Sequence, residues 1–388
     1  MKNDCVLFSQ LYIGCQARSG NIDEFFEHEN QNAPPSLSNG VELRFTNKSD
    51  LLKCLEGLSP NSKSRHVPLD GLAVILDGAA LVQMLKPGCV KTFNDYAVDV
   101  FNPYIESQFR TASRVDLVWD RYDSNSLKAT ARKHRGIGIR RHVVPAAPVP
   151  RNWQAFLRSN ENKTELFKFL SGMLASMTLQ HRQELVLTVD DDVVTVPCRE
   201  DTSMLQPCTH EEADTRMILH AADAGHRGLR RIMIKTVDTD VVILAIANIQ
   251  NISCDELWLA FGAGKHFRYI PAHALAASLG RERSSALPVF HAITGCDTTS
   301  SFAGKGKKTA WDTWSAFPEV TDAFVEMYRN MTAVPDSILN VIERFVVKMY
   351  DQRSTSCSVN CTRKQLFAEK GRTPVSYTHL TLPTILRV

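Results

Sequence analysis

The sequence lacks the features of several common protein classes. None of its apolar runs approaches the roughly 18 residues of a membrane-spanning helix. The N-terminal segment MKNDCVLFSQLYIGCQ has no long apolar core of the kind found in signal peptides. The 10 cysteines are scattered without paired C-x-x-C motifs, which predicts reduced thiols rather than a disulfide framework. We therefore expect an intracellular protein, nuclear or cytoplasmic, with no membrane partner.

A serine-hydrolase signature and a strong charge bias are also missing. No G-x-S-x-G element is present, which disfavours a serine hydrolase. The formal net charge of +3 is too small to indicate nucleic-acid binding by itself. The hydrophobic fraction of 44% and the charged fraction of 22% are ordinary for a globular protein. A chain of 388 residues can form one large domain or two modest ones.

Predicted strands and helices alternate along the chain, which indicates an α/β fold with a mainly parallel central sheet. Apolar runs predict strands at 72–76, 115–119 and 231–237, and each is followed by an aspartate. Hairpins are predicted around Asp190–Asp192 and Gly262–Gly264, and Thr209 with Glu212 forms a capping-box pattern that predicts a helix start. We divide the chain into a small helical leader (1–66), a central domain (70–335), a C-terminal helical extension (336–371) and a non-native or disordered tail (372–388).

Seven acidic residues stand where the chain leaves buried strands or begins helices. A carboxylate beside apolar strand residues is costly unless it is paired or binds a cation. In extended backbone Asp238 and Asp240 would face the same side, and Glu212 and Asp214 flank Ala213 at a helix start. Taken singly, these acids are equally consistent with turn or helix-start residues. Together they predict one acidic pocket that holds divalent metal: Asp77, Asp120, Glu212, Asp214, Asp238, Asp240 and Asp297.

Such a pocket favours one kind of chemistry. Mg²⁺ and Mn²⁺ prefer oxygen ligands, and two ions about 4 Å apart can act on both the attacking and the leaving oxygen of a phosphodiester. Without metal, the carboxylates would repel one another and would be partly protonated. We therefore expect two Mg²⁺ or Mn²⁺ ions as cofactors.

Two basic segments are candidates for contacting nucleic acid. Residues 126–142 contain lysines and arginines but no acid, and on a helix Lys128 and Arg135 would share one face about 10 Å apart. Arg132 is an alternative to Arg135, and a solvated basic face is the alternative for the whole segment. The loop at 302–308 lacks the Ser or Thr of a Walker A motif, but its glycines and lysines can approach a phosphate backbone. A flexible surface turn is the other interpretation of its residues Gly304, Lys305, Gly306, Lys307 and Lys308.

The order of these motifs resembles the flap-endonuclease-like branch of the PIN-like nucleases. The motifs are LDG, VWD, K-x6-R, E-A-D, D-T-D and G-C-D, followed by a G-x-G-K loop, and they span residues 70–315. A longer similarity is to uncharacterised animal proteins that carry HEEADTR, DTDV and TGCDTTSSFxGKGKK. The resemblance to the nucleases implies a three-layer PIN-like domain that hydrolyses DNA or RNA phosphodiesters selectively by structure, with two metal ions.

The resemblance also assigns roles to the candidate residues. It implies that Asp77, Asp120, Glu212 and Asp214 bind the first metal and that Asp238, Asp240 and Asp297 help to bind the second. It implies that Lys128 and Arg135 contact the scissile phosphate, and that the loop at 302–308 grips the DNA backbone.

The chain also departs from the nuclease pattern. Arg121-Tyr122-Asp123 stands where these nucleases have Gly and a basic residue, and a leader precedes Asp77. These departures favour an alternative, a catalytically inactive PIN-like module that binds nucleic acid or protein. A transposase-like RNase H fold is a further alternative, which would require three acids and no lysine loop.

Overall fold

The computed structural model describes residues 10, 13–14, 16–17, 33–34, 36–58, 72–122, 138–330 and 334–370. The chain divides into two compact units. We call Glu56–Arg281 the central unit, and Met1–Leu55 with Glu282–Val388 the terminal unit. This division differs from the predicted one, because residues 282–330 belong with the C-terminal helices rather than with the central domain. The predicted tail, 372–388, lies outside the described residues.

The central unit is built on a seven-stranded sheet in the order β6-β5-β4-β3-β7-β8-β9. Neighbours among β3, β4, β5, β7 and β8 are parallel, whereas the edge strands β6 and β9 are antiparallel to their neighbours. The expected α/β class with a mainly parallel sheet is therefore confirmed. The strands are Leu72–Asp77 (β3), Ala112–Val118 (β4), Glu184–Val189 (β5), Asp192–Val196 (β6), Arg231–Thr236 (β7), Glu256–Phe261 (β8) and Arg268–Pro271 (β9), after Ser38–Asn39 (β1) and Glu42–Leu43 (β2) in the terminal unit.

Helices follow most of the parallel strands. A π-helical segment lies at Tyr96–Phe101, and 3₁₀ turns lie at Ile249–Asn251 and Gly264–His266. The α-helices are Ser49–Glu56 (α1), Gly78–Met84 (α2), Phe93–Asp95 (α3), Asn102–Gln108 (α4), Trp153–Phe156 (α5), Asn160–Ala175 (α6), Ala213–His226 (α7), Thr239–Asn248 (α8), Ala272–Leu279 (α9), Arg281–Ile293 (α10), Lys307–Ala316 (α11), Val320–Arg329 (α12), Asp336–Tyr350 (α13) and Val359–Lys370 (α14).

Both faces of the central sheet are covered, which explains why β3 is a continuous apolar run. Side chains alternate between the two faces along a strand, so Val74 and Leu76 join one core with the aromatic residues of α3, α5 and α6. Ala73 and Ile75 point to the other face and are fully buried. Helix α7 packs against β3, β4 and β7, and α9 packs against β8. The central unit is thus a sheet flanked by helices.

The two predicted hairpins of the central unit are present. Strands β5 and β6 pair around a turn in which Asp190 adopts φ 51°, a left-handed conformation that aspartate tolerates better than most residues. Strands β8 and β9 pair around Gly262, whose φ is 86°. A Cβ at Gly262 would lie 2.8 Å from the carbonyl oxygen of His266, so this turn requires glycine.

A buried charge network fixes α7 against the sheet. The Arg114 guanidinium donates two hydrogen bonds of 2.7 Å to the Asp116 carboxylate, and both side chains are buried. Arg114 also pairs with Asp223 of α7 at 2.6 Å, and His220 Nδ1 of α7 lies 2.7 Å from Asp116 Oδ2. Because each buried charge has an opposite partner, the network orients α7 relative to β4. This orientation matters because α7 carries Asp214 in its first turn.

The terminal unit combines segments from both ends of the chain. Its aromatic core contains Phe290, Trp314 and Phe324, with Phe290 and Trp314 stacked at 4.6 Å between ring centroids. The Ser301 N–H donates to the carbonyl of Arg44 at 2.9 Å, which joins the two segments. The leader was predicted to be mostly helical, but its described part contains the β1–β2 hairpin as well as α1. The turn at Gly40, with φ 68°, allows this hairpin.

Candidate metal site

Three neighbouring strands bring the predicted acids of the central unit to one edge of the sheet. Strand β3 ends at Asp77, β4 is followed by Asp120 and β7 is followed by Asp238, and β3 lies between β4 and β7. The strands are parallel, so their carboxyl ends meet. The chain order of the strands also reverses between β3 and β7, and such switch points are where open α/β sheets bind ligands.

Asp77 has a perturbed environment at this edge. Its Oδ1 accepts a hydrogen bond of 2.9 Å from the Ala80 N–H, so Asp77 is the N-cap of α2. Burial of the carboxyl group, together with the neighbouring carboxylates of Asp120 and Asp238, raises the pKa of Asp77 to about 7. The structure therefore places Asp77 close enough to Asp120 and to Asp238 for each carboxylate to repel its charge.

Asp214, Asp238 and Asp240 form the tightest acidic group among the described residues. One carboxylate oxygen from each lies within 4.8 Å of the others. Oxygen ligands of one divalent ion lie within roughly 4–5 Å of one another, because the metal–oxygen distances are about 2.1–2.5 Å. The donor set therefore fits a hard divalent cation, with Asp214 contributed by α7 and the other two by the start of α8.

The local geometry of Asp238 and Asp240 differs from the prediction. We expected both in extended backbone, but β7 ends at Thr236 and α8 begins at Thr239. Asp238 is the N-cap, and its Oδ1 accepts a hydrogen bond of 2.9 Å from the Asp240 N–H. The two carboxylates thus lie at the first turn of a helix, where the helix N-terminus favours negative charge.

Asp120 connects the end of β4 to the start of α7. Its Oδ1 accepts a 3.0 Å hydrogen bond from the Ala213 N–H, and its Oδ2 accepts one of 3.2 Å from the Tyr122 hydroxyl. The predicted capping box at Thr209 is wrong, since Glu212 occupies the N-cap position and makes no side-chain cap hydrogen bond. The cap acceptor comes from Asp120 instead. Glu212 is beside the site but is not one of the three closest carboxylates.

Asp297 lies in the terminal unit, where it has its own partner. Its carboxylate is 2.8 Å from Lys48 Nζ. The basic residues Lys128, Arg132 and Arg135, predicted to contact phosphate, fall within 123–137 and so lie outside the described residues.

The lysine loop at 302–308 does not match its predicted role at every position. Lys307 is completely buried, and its Nζ donates to the His291 carbonyl at 2.7 Å and to Thr294 Oγ1 at 2.8 Å. The prediction that Lys307 contacts phosphate is therefore wrong, because its ammonium group satisfies the end of α10. Lys305 lies over the Tyr350 ring at 5.0 Å, and Lys308 pairs with Asp312. Gly304 has φ 68°, and Gly306 is the N-cap of α11.

A pocket beside Asp120 was not predicted from the sequence. It is lined by residues that follow β4, by the end of β5, and by Lys168 of α6 and Arg216 of α7. Arg216 is the last residue of the HEEADTR motif. Its position four residues after Glu212 is the sequence feature that could have pointed to a role beside the acidic residues. Arg121, interpreted above only as a departure from the nuclease pattern, is also part of the lining.

Comparison with known proteins does not assign the chain to a family. No protein-family model matches it, and no curated protein gives a significant match. The resemblance to flap-endonuclease-like proteins thus stays a prediction based on motif order. Within the described ranges, no helix is both long and apolar enough to cross a membrane.

Proposed function

We propose that this protein is a divalent-metal-dependent nuclease with a PIN-like central unit that hydrolyses DNA or RNA phosphodiesters. The observation that supports the proposal best is the carboxylate group of Asp214, Asp238 and Asp240, whose oxygens lie within 4.8 Å of one another at the switch point of a parallel sheet. Three carboxylates so close together, with Asp77 and Asp120 beside them, are stabilised by divalent cations and by few other ligands.

Asp214, Asp238 and Asp240 would hold Mg²⁺ or Mn²⁺. When bound, such an ion supplies a Lewis acid for the phosphoryl oxygen and lowers the pKa of its water. The network of Arg114, Asp116 and His220 holds α7 in place, and so fixes Asp214 against the ends of β3 and β7. Asp77, with its raised pKa, can take up or release a proton near neutral pH.

The remaining predicted roles belong to the same proposal. Lys128 and Arg135 would stabilise charge that develops on the phosphate, with Arg132 as the alternative to Arg135. Lys305 and Lys308 stay candidates for backbone contact, whereas the buried Lys307 does not.

A second candidate function is a catalytically inactive PIN-like module that binds nucleic acid or protein. The burial of Lys307 favours a protein partner, because one of the cations expected to contact a phosphate backbone faces the protein interior. In this case the acidic group would still bind a cation, but no phosphodiester would be hydrolysed.

The test is cleavage by the purified full chain. Single-stranded, flap and duplex DNA and RNA are incubated with Mg²⁺ or Mn²⁺, and with EDTA as the metal-free control. We expect metal-dependent products that disappear in the double variant Asp238→Asn with Asp240→Asn. The matched control is Asp255→Asn, an exposed aspartate paired with Arg230 just before β8. No cleavage of any substrate, or cleavage that survives the double substitution, would refute the nuclease proposal.

A further inference from the structure

The pocket beside Asp120 is a basic feature next to an acidic site. It has about 160 Å³ of accessible space and lies between the carboxyl ends of β4 and β5. Three cationic side chains line it, contributed by three different elements: Arg121 after β4, Lys168 of α6 and Arg216 of α7. Asp120 lines the pocket and also accepts a 3.0 Å hydrogen bond from the N–H of Ala213, the residue before Asp214, so the pocket is adjacent to the candidate metal site.

Two of these cations pair with the turn between β5 and β6. Arg121 lies 2.6 Å from an Asp191 carboxylate oxygen, and Lys168 Nζ lies 2.8 Å from an Asp190 carboxylate oxygen. All four side chains are between 37% and 55% exposed. Ion pairs this exposed are weak, so a more highly charged anion can replace the carboxylates. Phosphate is such an anion, and arginine binds it with two parallel hydrogen bonds.

Arg216 is the third cation and is built into the floor of the pocket. Its side chain is only 1% exposed, and it donates to the carbonyls of Asp190 at 2.6 Å and Asp192 at 3.0 Å. Its Nε, also buried, has no hydrogen-bond partner among the described residues. A buried guanidinium N–H without an acceptor is energetically unfavourable, so binding of an acceptor at this N–H would be favourable.

The aromatic residues of the pocket are not arranged to stack a base. Trp119 is 5% exposed and stacks on Phe167 at 4.2 Å between ring centroids. The Tyr122 ring is covered by Lys163 Nζ at 3.9 Å from its centroid. Since stacking requires an open ring face, the pocket favours a phosphate group over a nucleobase.

We propose that this pocket is a phosphate subsite for a nucleic-acid strand, next to the metal site, and that the Asp190 and Asp191 carboxylates occupy its cations when no strand is bound. The inference rests on the proposed function for the identity of the ligand. Arg121 and Lys168 exchange a carboxylate for a backbone phosphate, and Arg216 holds the turn in place while the exchange occurs. The phosphate would belong to a nucleotide neighbouring the one that is cleaved.

The experiment measures binding, not turnover. Fluorescence anisotropy follows a short labelled single-stranded DNA, or RNA of the same sequence, on the full chain in Ca²⁺, and gels confirm that the strand stays intact. Arg121→Ala with Lys168→Ala should weaken binding about two- to thirty-fold, the range available to two exposed ion pairs. Asp190→Asn with Asp191→Asn should instead tighten binding, because it removes the competing carboxylates. Arg230→Ala, at an exposed ion pair just before β7, should leave binding unchanged.

Two results would overturn the subsite. One is a double variant of Arg121 and Lys168 that binds as tightly as the wild type; the other is weaker binding by the Asp190 and Asp191 variant when its thermal unfolding is unchanged. Failure of the nuclease proposal gives a different pattern, in which no substrate is cleaved while the expected changes in affinity remain. Wild-type protein that binds neither strand overturns the subsite as well.

Discussion

The raised pKa of Asp77 makes a quantitative prediction about stability. In the folded protein its pKa is about 7, against an ordinary value of 3.8. Between these two pH values the folded state keeps a proton that the unfolded state has lost, so stability falls as pH rises through this window. The full pKa difference corresponds to roughly 4 kcal/mol of stability. This value is an upper limit, because part of the Asp77 side chain remains exposed to solvent. Above pH 7 the metal-free wild type carries this whole destabilisation.

The perturbation is Asp77→Asn. Asparagine retains the oxygen that caps α2 by accepting from Ala80, and it caps helices about as well as aspartate does. The substitution therefore removes the charge and little else. At pH 8 in EDTA we expect it to stabilise the protein by up to about 4 kcal/mol, or roughly 10 °C in the melting temperature of a unit of this size. At pH 4 the wild-type Asp77 is protonated when folded, and we expect almost no difference.

Thermal unfolding of the full chain at both pH values measures the effect, with Asp255→Asn as the control at an exposed ion pair. Added Mn²⁺ should reduce the difference at pH 8, because a cation held by Asp214, Asp238 and Asp240 offsets the negative charge of the nearby Asp77. The reasoning is refuted if Asp77→Asn is no more stable than the wild type at pH 8 without metal. It is equally refuted if the gain is the same at pH 4, because an effect independent of pH does not come from a carboxylate charge.

Three further predictions test the site and its support. Mn²⁺ at about one hundred times its Kd should stabilise the wild type by about 2.7 kcal/mol in thermal unfolding, and the Asp238→Asn with Asp240→Asn variant should show almost none of this gain. Asp116→Asn should cost about 3–5 kcal/mol in urea unfolding at neutral pH, because it leaves Arg114 buried without its main partner. Burial raises the pKa of Asp116, but Arg114 and His220 together outweigh burial and lower this pKa to about 2. The stability that the Asp116 carboxylate contributes above pH 4 is therefore lost as pH falls through 2. Lys307→Met should destabilise the terminal unit by about 1–3 kcal/mol in the same assay and leave nucleic-acid binding unchanged.

Local sequence patterns predicted the sheet well. The run Leu72–Leu76 is apolar throughout because β3 is covered on both faces, and a run bounded in this way has few alternatives to a buried strand. Because the runs also mark where the strands end, they predicted that Asp77, Asp120 and Asp238 lie at one edge of the sheet. All seven strands of the central sheet, three as apolar runs and four in two hairpins, could be located without any knowledge of tertiary contacts.

The errors have non-local causes. The start of α7 was misassigned because its cap acceptor, Asp120, is 93 residues away from Ala213 in the chain. From the sequence, Lys307 is expected to be a surface cation because it stands beside glycines. It is buried because its ammonium group donates to the carbonyl of His291, near the end of another helix. The unit boundary was missed for the same reason, since Ser301 bonds to the carbonyl of Arg44. Periodicity within a short window contains none of this information.

The hydrogen bond from the Ala213 N–H to Asp120 has a consequence for how loss of this acid would be interpreted. One carboxylate contributes to the acidic edge through its charge and supports the first turn of α7 through its lone pair. Asp120→Ala would remove both contributions, so a loss of activity would mix chemistry with the displacement of Asp214. Asp120→Asn removes only the charge. Comparing the two variants would separate a residue's electrostatic role from its architectural one at a single position.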